Sequence, residues 1–335
     1  MLNDSARNYS GTLRMLLVGA VVLTVAVVAM TFLRHAGDDP TLPAGAEREG
    51  GAEDPLGVGG PLAQTPSSPT PTPSAPGSTP SPVPSADLSF AVIGDFGTGL
   101  TDQQEIAERM CSWRRDRPFD TVITTGDNIY PDGDPELFDP NFFDPYRCLL
   151  SRGVEWHASL GNHDIITDGG QPELEEPAFG MRGHNYVVRS GGVRFVIADS
   201  NVLDREWLAR ATRARATDRW TVVAFHHPVF SPGDAHGSTP GFRPGLPRLF
   251  ARRGVDLVVN GHDHLYAVSK LRRGVRYVVT GGGGAALYGC TEQDFSEVCV
   301  EAHHFLWVRA TTASIRVWAI PATGPPFHKL TIADR

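Results

Sequence analysis

Five short polar motifs carry residue types that bind metal ions. They read GDFG at 94–97, GDNIY at 126–130, GNHD at 161–164, FHHP at 225–228 and GHDH at 261–264. Each follows a short apolar run, and a Gly usually stands beside the Asp, Asn or His. One such motif alone is typical of an ordinary turn. Five in one region, all with oxygen or imidazole donors, indicate a shared site.

The candidate donor set contains seven side chains and no thiol. Its members are Asp95, Asp127, Tyr130, Asn162, His226, His262 and His264. Carboxylate, amide and imidazole donors suit first-row transition metals, whereas the absence of thiolates disfavours a structural zinc site. Seven donors exceed the needs of one ion, and two ions about 3.5–4 Å apart require a shared carboxylate. Asp127, close to Tyr130 in the chain, is the predicted bridge.

The elements around these motifs predict an α/β fold. Helix-like periodicity covers residues 102–115, with Thr101 as the expected N-cap, and residues 205–215 and 246–253. Loops at the carboxyl ends of strands in such folds commonly hold ligands. The predicted strands alternate with these helices and cover residues 90–93, 121–125, 156–160, 193–198, 221–225, 257–259, 277–280, 305–308 and 315–320.

These motifs, in this order, resemble those of the metallophosphoesterase superfamily, the calcineurin-like enzymes. Many members have Asp-x-His in the first motif, whereas here Gly97 stands in the place of that His and Tyr130 supplies a compensating donor. Both departures resemble the small single-domain purple acid phosphatases. The resemblance implies a four-layer α/β/β/α sandwich. It also implies one iron on Asp95, Tyr130 and His264, a second metal on Asn162, His226 and His262, and Asp127 bridging the two.

The metals expected at the two positions differ because their donors differ. A tyrosine has a pKa near 10, so keeping Tyr130 as a phenolate in neutral or acid solution requires a strongly polarising ion such as Fe(III). The neutral donors of the other position suit a divalent ion, Fe, Zn or Mn. Such a centre keeps a net positive charge and would attract an anionic phosphoester.

Two further histidines are the expected catalytic residues. His163 follows the donor Asn162, and His236 occupies a position where the similar small phosphatases also have a histidine near the substrate. We expect both to orient the phosphate and to protonate the leaving alkoxide. The direction of the His227 side chain is left open. The acidic residues Glu173, Glu175 and Glu176 are expected in a solvated loop at the rim of the site.

The sequence before residue 88 predicts a membrane anchor and a spacer. After a short tail at 1–14, residues 15–33 form an uncharged apolar run that would span roughly 28 Å as a helix, enough for a bilayer core. A cleaved signal peptide is the alternative. Residues 34–87 form a Pro/Ser/Thr-rich linker, with nine prolines among positions 61–84. The metallophosphoesterase domain is expected at 88–335.

Four cysteines favour an oxidising compartment. They allow three pairings, of which Cys111 with Cys148 and Cys290 with Cys299 is favoured. A zinc cluster is the alternative, but its usual Cys-x-x-Cys pairs are absent. The expected location is therefore membrane-anchored with the catalytic domain outside the cytoplasm, or secreted if the N-terminal segment is cleaved.

The charge balance and the donor set together predict the function. A net charge of −8 without a Lys/Arg cluster argues against a nucleic-acid partner. The expected partners are a small phosphoester substrate and the membrane, through the N-terminal helix. The expected reaction is phosphomonoester hydrolysis of the acid phosphatase type, with a metal-bound hydroxide as nucleophile. A phosphodiesterase or nucleotide-cleaving activity is the alternative, and a non-catalytic surface-anchored binding module is a remote one.

Overall fold

The computed structural model describes residues 86–334. The expected tail at 1–14, the membrane segment at 15–33 and the linker as far as residue 85 lie outside the described residues. Within 86–334, no helix is both long enough and apolar enough to cross a bilayer.

Two β-sheets form the centre of the described part of the chain. One has six strands in the order β13-β12-β11-β1-β2-β3, and the other has seven in the order β10-β8-β9-β7-β6-β5-β4. The strands are β1 (Asp87–Ile93), β2 (Thr121–Thr124), β3 (Glu155–His157), β4 (Tyr186–Ser190), β5 (Val193–Ile197), β6 (Trp220–Ala224), β7 (Leu257–Asn260), β8 (Tyr266–Ser269), β9 (Arg276–Thr280), β10 (Ser296–Val300), β11 (His304–Thr311), β12 (Ser314–Pro321) and β13 (His328–Ala333).

The described α-helices lie in the connections between strands. They are α1 (Thr101–Asp116), α2 (Arg147–Leu150), α3 (Gln171–Glu175), α4 (Arg205–Ala211) and α5 (Leu246–Arg253). Short 3-10 and π-helical turns complete the connections after β2 and β3.

Apolar packing joins the two sheets and attaches helices to their outer faces. Between the sheets, the rings of Phe90 on β1 and Phe195 on β5 meet edge to face, with centroids 4.9 Å apart. Outside the first sheet, Trp113 of α1 contacts Trp307 of β11. Helices α4 and α5 contribute Leu208 and other buried side chains to a third apolar cluster with β5, β6 and β7. The prediction of a mixed α/β fold with two sheets is confirmed.

Both sheets contain a parallel group whose strands end at the same edge. In the first sheet β1, β2 and β3 are parallel, and in the second β5, β6, β7 and β9 are parallel. All five motifs follow strands of these two groups. The carboxyl ends of the parallel strands therefore bring the motifs together.

Two helix predictions were wrong in detail. Thr101 is the first residue of α1 rather than its N-cap; Leu100 stands at the N-cap without a side-chain cap, and Oε1 of Gln103 accepts from the Gly99 N–H at 2.6 Å. The helix predicted for 205–215 ends at Ala211, whose carbonyl accepts from the buried Arg194 guanidinium at 2.5 Å. Four strands, β4, β8, β10 and β13, were not predicted.

The predicted disulfide pairing is confirmed. Cys111 of α1 bonds to Cys148 of α2, and Cys290 bonds to Cys299 of β10. The first disulfide ties α1 to the connection that follows β2. The second ties the loop after β9 to the edge strand of the seven-stranded sheet.

Candidate metal centre

Glycines at the strand ends let the loops approach one another closely. At Gly161, for example, a Cβ would lie 2.0 Å from Oδ1 of Asp127. Gly126 has a φ of +88°, and a Cβ there would lie 2.8 Å from Nδ1 of His226. Only glycine allows this spacing, so the Gly of the predicted motifs sets the distance between the donor-bearing loops.

The first group of donors joins Asp95, Tyr130 and His264 to Asp127. The Tyr130 hydroxyl lies 3.0 Å from Oδ2 of Asp127 and 3.1 Å from Nε2 of His264. The same Nε2 lies 3.5 Å from Oδ1 of Asp95. One donor atom from each of Asp95, Asp127 and His264 falls within 4.8 Å of the others, which is the spacing of a metal site.

The second group joins Asn162, His226 and His262 to the same Asp127. Nε2 of His226 lies 3.0 Å from Oδ1 of Asn162 and 3.1 Å from Nδ1 of His262. It also lies 3.4 Å from Oδ2 of Asp127. The structure thus brings all seven predicted donors together in two groups, with Asp127 belonging to both.

The tautomers of two histidines show that their lone pairs point into the site. Nδ1 of His226 faces the Thr125 carbonyl at 2.9 Å, and Nδ1 of His264 faces the Ala286 carbonyl at 2.7 Å. A carbonyl only accepts, so each Nδ1 carries a hydrogen, and whenever the imidazole is neutral its Nε2 has a free lone pair. Lone pairs of nitrogen, amide oxygen and carboxylate oxygen then face one another, an arrangement that fits cations.

The pKa shifts follow from burial and from the crowding of like groups. Burial raises the pKa of Asp95 to about 7, although hydrogen bonding to His264 opposes the shift. Burial and, to a lesser extent, the nearby His226 together lower the pKa of His262 to about 2. Burial, then the charges of Asp95 and Asp127, raise the pKa of Tyr130 well above its usual value. Anionic forms of these acids therefore require added positive charge.

Three of the donors have strained backbones. Asp95, Asp127 and His262 have φ angles of 58°, 51° and 72°, in the left-handed region that favours glycine. Such conformations cost about 1–3 kcal/mol each and persist where the surrounding structure enforces them, most often at functional sites. Here the parallel strands enforce them, and each strained residue turns its side chain into the site.

A model of the calcineurin-like phosphoesterase family matches residues 88–266, more than half of the chain. The chain belongs to this family. It is accordingly a metal-dependent phosphoesterase.

Similar proteins place this phosphoesterase near the purple acid phosphatases. Purple acid phosphatase 4 of Arabidopsis thaliana is 26% identical over 287 residues, which cover 74% of this chain and 84% of that protein. Among solved structures, purple acid phosphatase PPD1 from yellow lupin seeds has a TM-score of 0.65 at 19% identity, covering 76% of this chain and 55% of that one. GAP50, described as the anchor in the inner membrane complex of Plasmodium, has a TM-score of 0.64 at 16% identity, covering 75% and 90%. At these identities the two structures show the fold alone.

The phosphoesterase has three non-donor histidines around its donors. His163 packs against Tyr130 with ring centroids 4.5 Å apart, and its Nδ1 donates to the Pro131 carbonyl at 2.6 Å. His236 stacks on His262 at 4.1 Å. His227, whose direction was left open, also lies beside His262, at 4.6 Å, because β6 ends at Ala224 and strand alternation no longer applies.

The expectation for Glu173 was wrong. Its side chain is fully buried, because α3 turns it inward, where Oε2 accepts from Nδ2 of Asn128 at 2.8 Å. It also lies against Asp164, and its Oε1 has no hydrogen-bond donor. Burial and the charge of Asp164 raise the pKa of Glu173 well above its usual value. A proton held by Glu173 and donated to Asp164 would satisfy both carboxyl groups.

Asp164 links the loops after β2 and β3. Its Oδ1 accepts from the backbone N–H groups of Asn128 at 2.7 Å and Ile129 at 3.0 Å. Its Oδ2 accepts from the Gly161 N–H at 2.7 Å. These loops carry Asp127 and Asn162, so the Asp164–Glu173 pair braces donors of both groups. No sequence signal distinguished Glu173 from its neighbours Glu175, which is exposed, and Glu176, which is half-buried.

Replacing Glu173 tests whether it is the protonated partner of Asp164. Gln offers the same acceptor to Asn128 and an N–H to Asp164, so Glu173→Gln should leave the free energy of unfolding within about 0.5 kcal/mol. Glu173→Leu removes one acceptor of Asn128 and the protonated partner of the buried Asp164, and should lower the free energy of unfolding by about 2 kcal/mol. Denaturant unfolding measures both. The exposed Glu175→Leu serves as control, and equal losses for Gln and Leu would contradict the shared proton.

Proposed function

We propose that this phosphoesterase hydrolyses phosphomonoesters at a pair of metal ions bridged by Asp127. The observation that carries the proposal is the position of Oδ2 of Asp127, 3.0 Å from the Tyr130 hydroxyl and 3.4 Å from Nε2 of His226. One carboxylate oxygen is thereby within reach of both donor groups. The similarity to purple acid phosphatase 4 supports the monoester class.

The two donor groups support different metals. Burial and the neighbouring carboxylates raise the pKa of Tyr130, so its phenolate form needs a strongly polarising ion. We assign Fe(III) to the group of Asp95, Tyr130 and His264. The other group contributes the neutral donors Asn162, His226 and His262 together with Asp127, and suits divalent Fe, Zn or Mn.

The non-donor histidines supply the remaining chemistry. When bound, the metal pair polarises the phosphoryl group and activates the attacking water. His163 keeps its hydrogen on Nδ1 for the Pro131 carbonyl, which leaves Nε2 to exchange a proton or bond to the phosphate. His236 is exposed on the face of His262, where it reaches the leaving oxygen and protonates it.

Replacing the shared carboxylate tests the proposed centre. Because Asp127 serves both groups, Asp127→Asn should lower kcat/KM for phenyl phosphate at least about a thousandfold, roughly 4 kcal/mol of transition-state stabilisation. Steady-state phosphate release measures this, with a phosphodiester assayed on the same preparation. Asp116→Asn, an exposed change at the end of α1, is the control. Undiminished turnover by Asp127→Asn, or faster diester turnover by the wild type, would contradict the proposal.

Replacing Tyr130 tests the assignment of iron. A phenolate on Fe(III) absorbs visible light, so the resting protein should be coloured and contain about one iron per chain beside a second metal. Tyr130→Phe should abolish the colour and lower the iron content more than that of the second metal. Absorption spectra and metal analysis of one sample measure both. Tyr146→Phe, a buried change in an aromatic cluster, should keep the colour. A colourless wild type with two divalent ions would refute the assignment.

We also propose that the domain at 88–335 works outside the cytoplasm, tethered by residues 15–33 through the linker at 34–87. The two disulfides support an oxidising compartment. Protease added to intact cells should remove the domain while a cytoplasmic marker survives. A protected domain whose four cysteines react as free thiols would contradict this location.

A further inference from the structure

Besides the donors and the nearby histidines, one more aromatic side chain borders the two donor groups, that of Tyr288. Tyr288 stacks on the candidate ligand His264, with centroids 4.2 Å apart and planes inclined by 13°. It also meets His236 edge to face, with ring centroids 5.4 Å apart. Tyr288 is half-buried, so part of its ring faces the cleft. It is the apolar surface between an expected metal ligand and the expected proton donor.

The backbone holds Tyr288 firmly against His264. Its N–H donates to the His264 carbonyl at 3.0 Å, and the nearby Ala286 carbonyl accepts from Nδ1 of His264 at 2.7 Å. The ring of Tyr288 is therefore placed by the same loop that fixes the tautomer of a donor.

The loop of Tyr288 is also fastened to the loop of His236. Asp234 donates its N–H to the Gly289 carbonyl at 3.0 Å and accepts from the Gly289 N–H at 2.9 Å. Next along the chain, Thr291 donates its N–H to the Pro232 carbonyl at 2.7 Å. The Cys290–Cys299 disulfide anchors this pair of loops to β10. The distance between Tyr288 and His236 is thus set by several bonds rather than by one side chain.

We propose that Tyr288 contacts the leaving group of the substrate and gives the site a preference for planar aromatic leaving groups over aliphatic ones. This inference rests on the proposed phosphomonoesterase function. The leaving oxygen must lie beside His236 to receive a proton. The ring of Tyr288 lies 5.4 Å from that of His236, centroid to centroid, so the group attached to the leaving oxygen comes within reach of Tyr288. An aryl group there packs against a fixed ring at little cost in conformational entropy. A flexible alkyl chain gains less from the same contact.

The effects of losing Tyr288 distinguish contact with the leaving group from a purely structural role. If Tyr288 only orients His264, its loss should weaken metal binding and slow every substrate equally. If it contacts the leaving group, its loss should change the ratio between substrates and leave the metal content unchanged. The ratio is independent of each substrate's intrinsic reactivity, because each substrate is compared with itself in wild type and variant.

The test compares phenyl phosphate with glycerol 2-phosphate in the metal-loaded protein. Tyr288→Leu should lower kcat/KM for phenyl phosphate about three- to tenfold and change that for glycerol 2-phosphate less than twofold. Tyr288→Phe keeps the ring and should keep the preference. Leu287→Ala, which removes the neighbouring side chain of the same loop, should change neither value. Metal analysis accompanies every variant.

Direct binding separates this inference from the function on which it rests. Calorimetry should show phenylphosphonate binding more tightly than methylphosphonate, and Tyr288→Leu should reduce that difference by the same three- to tenfold factor. Equal losses for both substrates, unchanged values for both, or a loss of metal in Tyr288→Leu would overturn the role of Tyr288. A wild type that binds both phosphonates with the expected difference but hydrolyses neither phosphate would refute the phosphatase function and leave the aryl contact standing.

Discussion

Two carboxyl groups, those of Asp95 and Asp127, are buried side by side, and the rest of the site is organised around their charge. Both side chains are almost completely removed from solvent, and a buried carboxylate without compensation costs several kcal/mol. Within the chain, His264 offsets part of this charge. Burial lowers its pKa, but hydrogen bonding to Asp95 and the charge of Asp95 outweigh burial and raise it. The remaining negative charge, facing neutral imidazoles with free lone pairs, gives the site its affinity for cations.

The two sheets make this arrangement possible because they are rigid where they meet. The donors stand two to six residues beyond the ends of short parallel strands, and the residues of strands such as β2 and β7 are buried. Interdigitated packing between the sheets prevents the loops from relaxing away from one another. Strained donor backbones, close glycine contacts and facing donors therefore occur together at this edge.

The sequence was most informative where a turn-forming glycine and a metal-donor residue stand together at the end of a predicted strand. The motifs of Asp95 and His262 combine a glycine, a strand end and a donor, so their convergence could be predicted without coordinates, as could the pairing of four cysteines. The position of Glu173 could not, because its burial depends on the direction in which a five-residue helix turns. Tyr288 carried no signal either, since its contact with His264 comes from a loop with no periodic pattern. The early end of α4 depends on Arg194, a residue on a different element. The burial of Glu173, the position of Tyr288 and the end of α4 all depend on interactions between segments that are distant in the sequence.

The left-handed backbones of Asp95, Asp127 and His262 tie the stability of the domain to the concentration of free metal. Residues that are unfavourable both in conformation and in charge lower the free energy of unfolding of the metal-free chain. Ions that bind only the folded state restore it by mass action, in proportion to the logarithm of their concentration above the dissociation constant. Metal supply then governs how long the folded protein survives as well as how fast it turns over substrate, so a cell that withholds the metal loses the enzyme and not merely its activity.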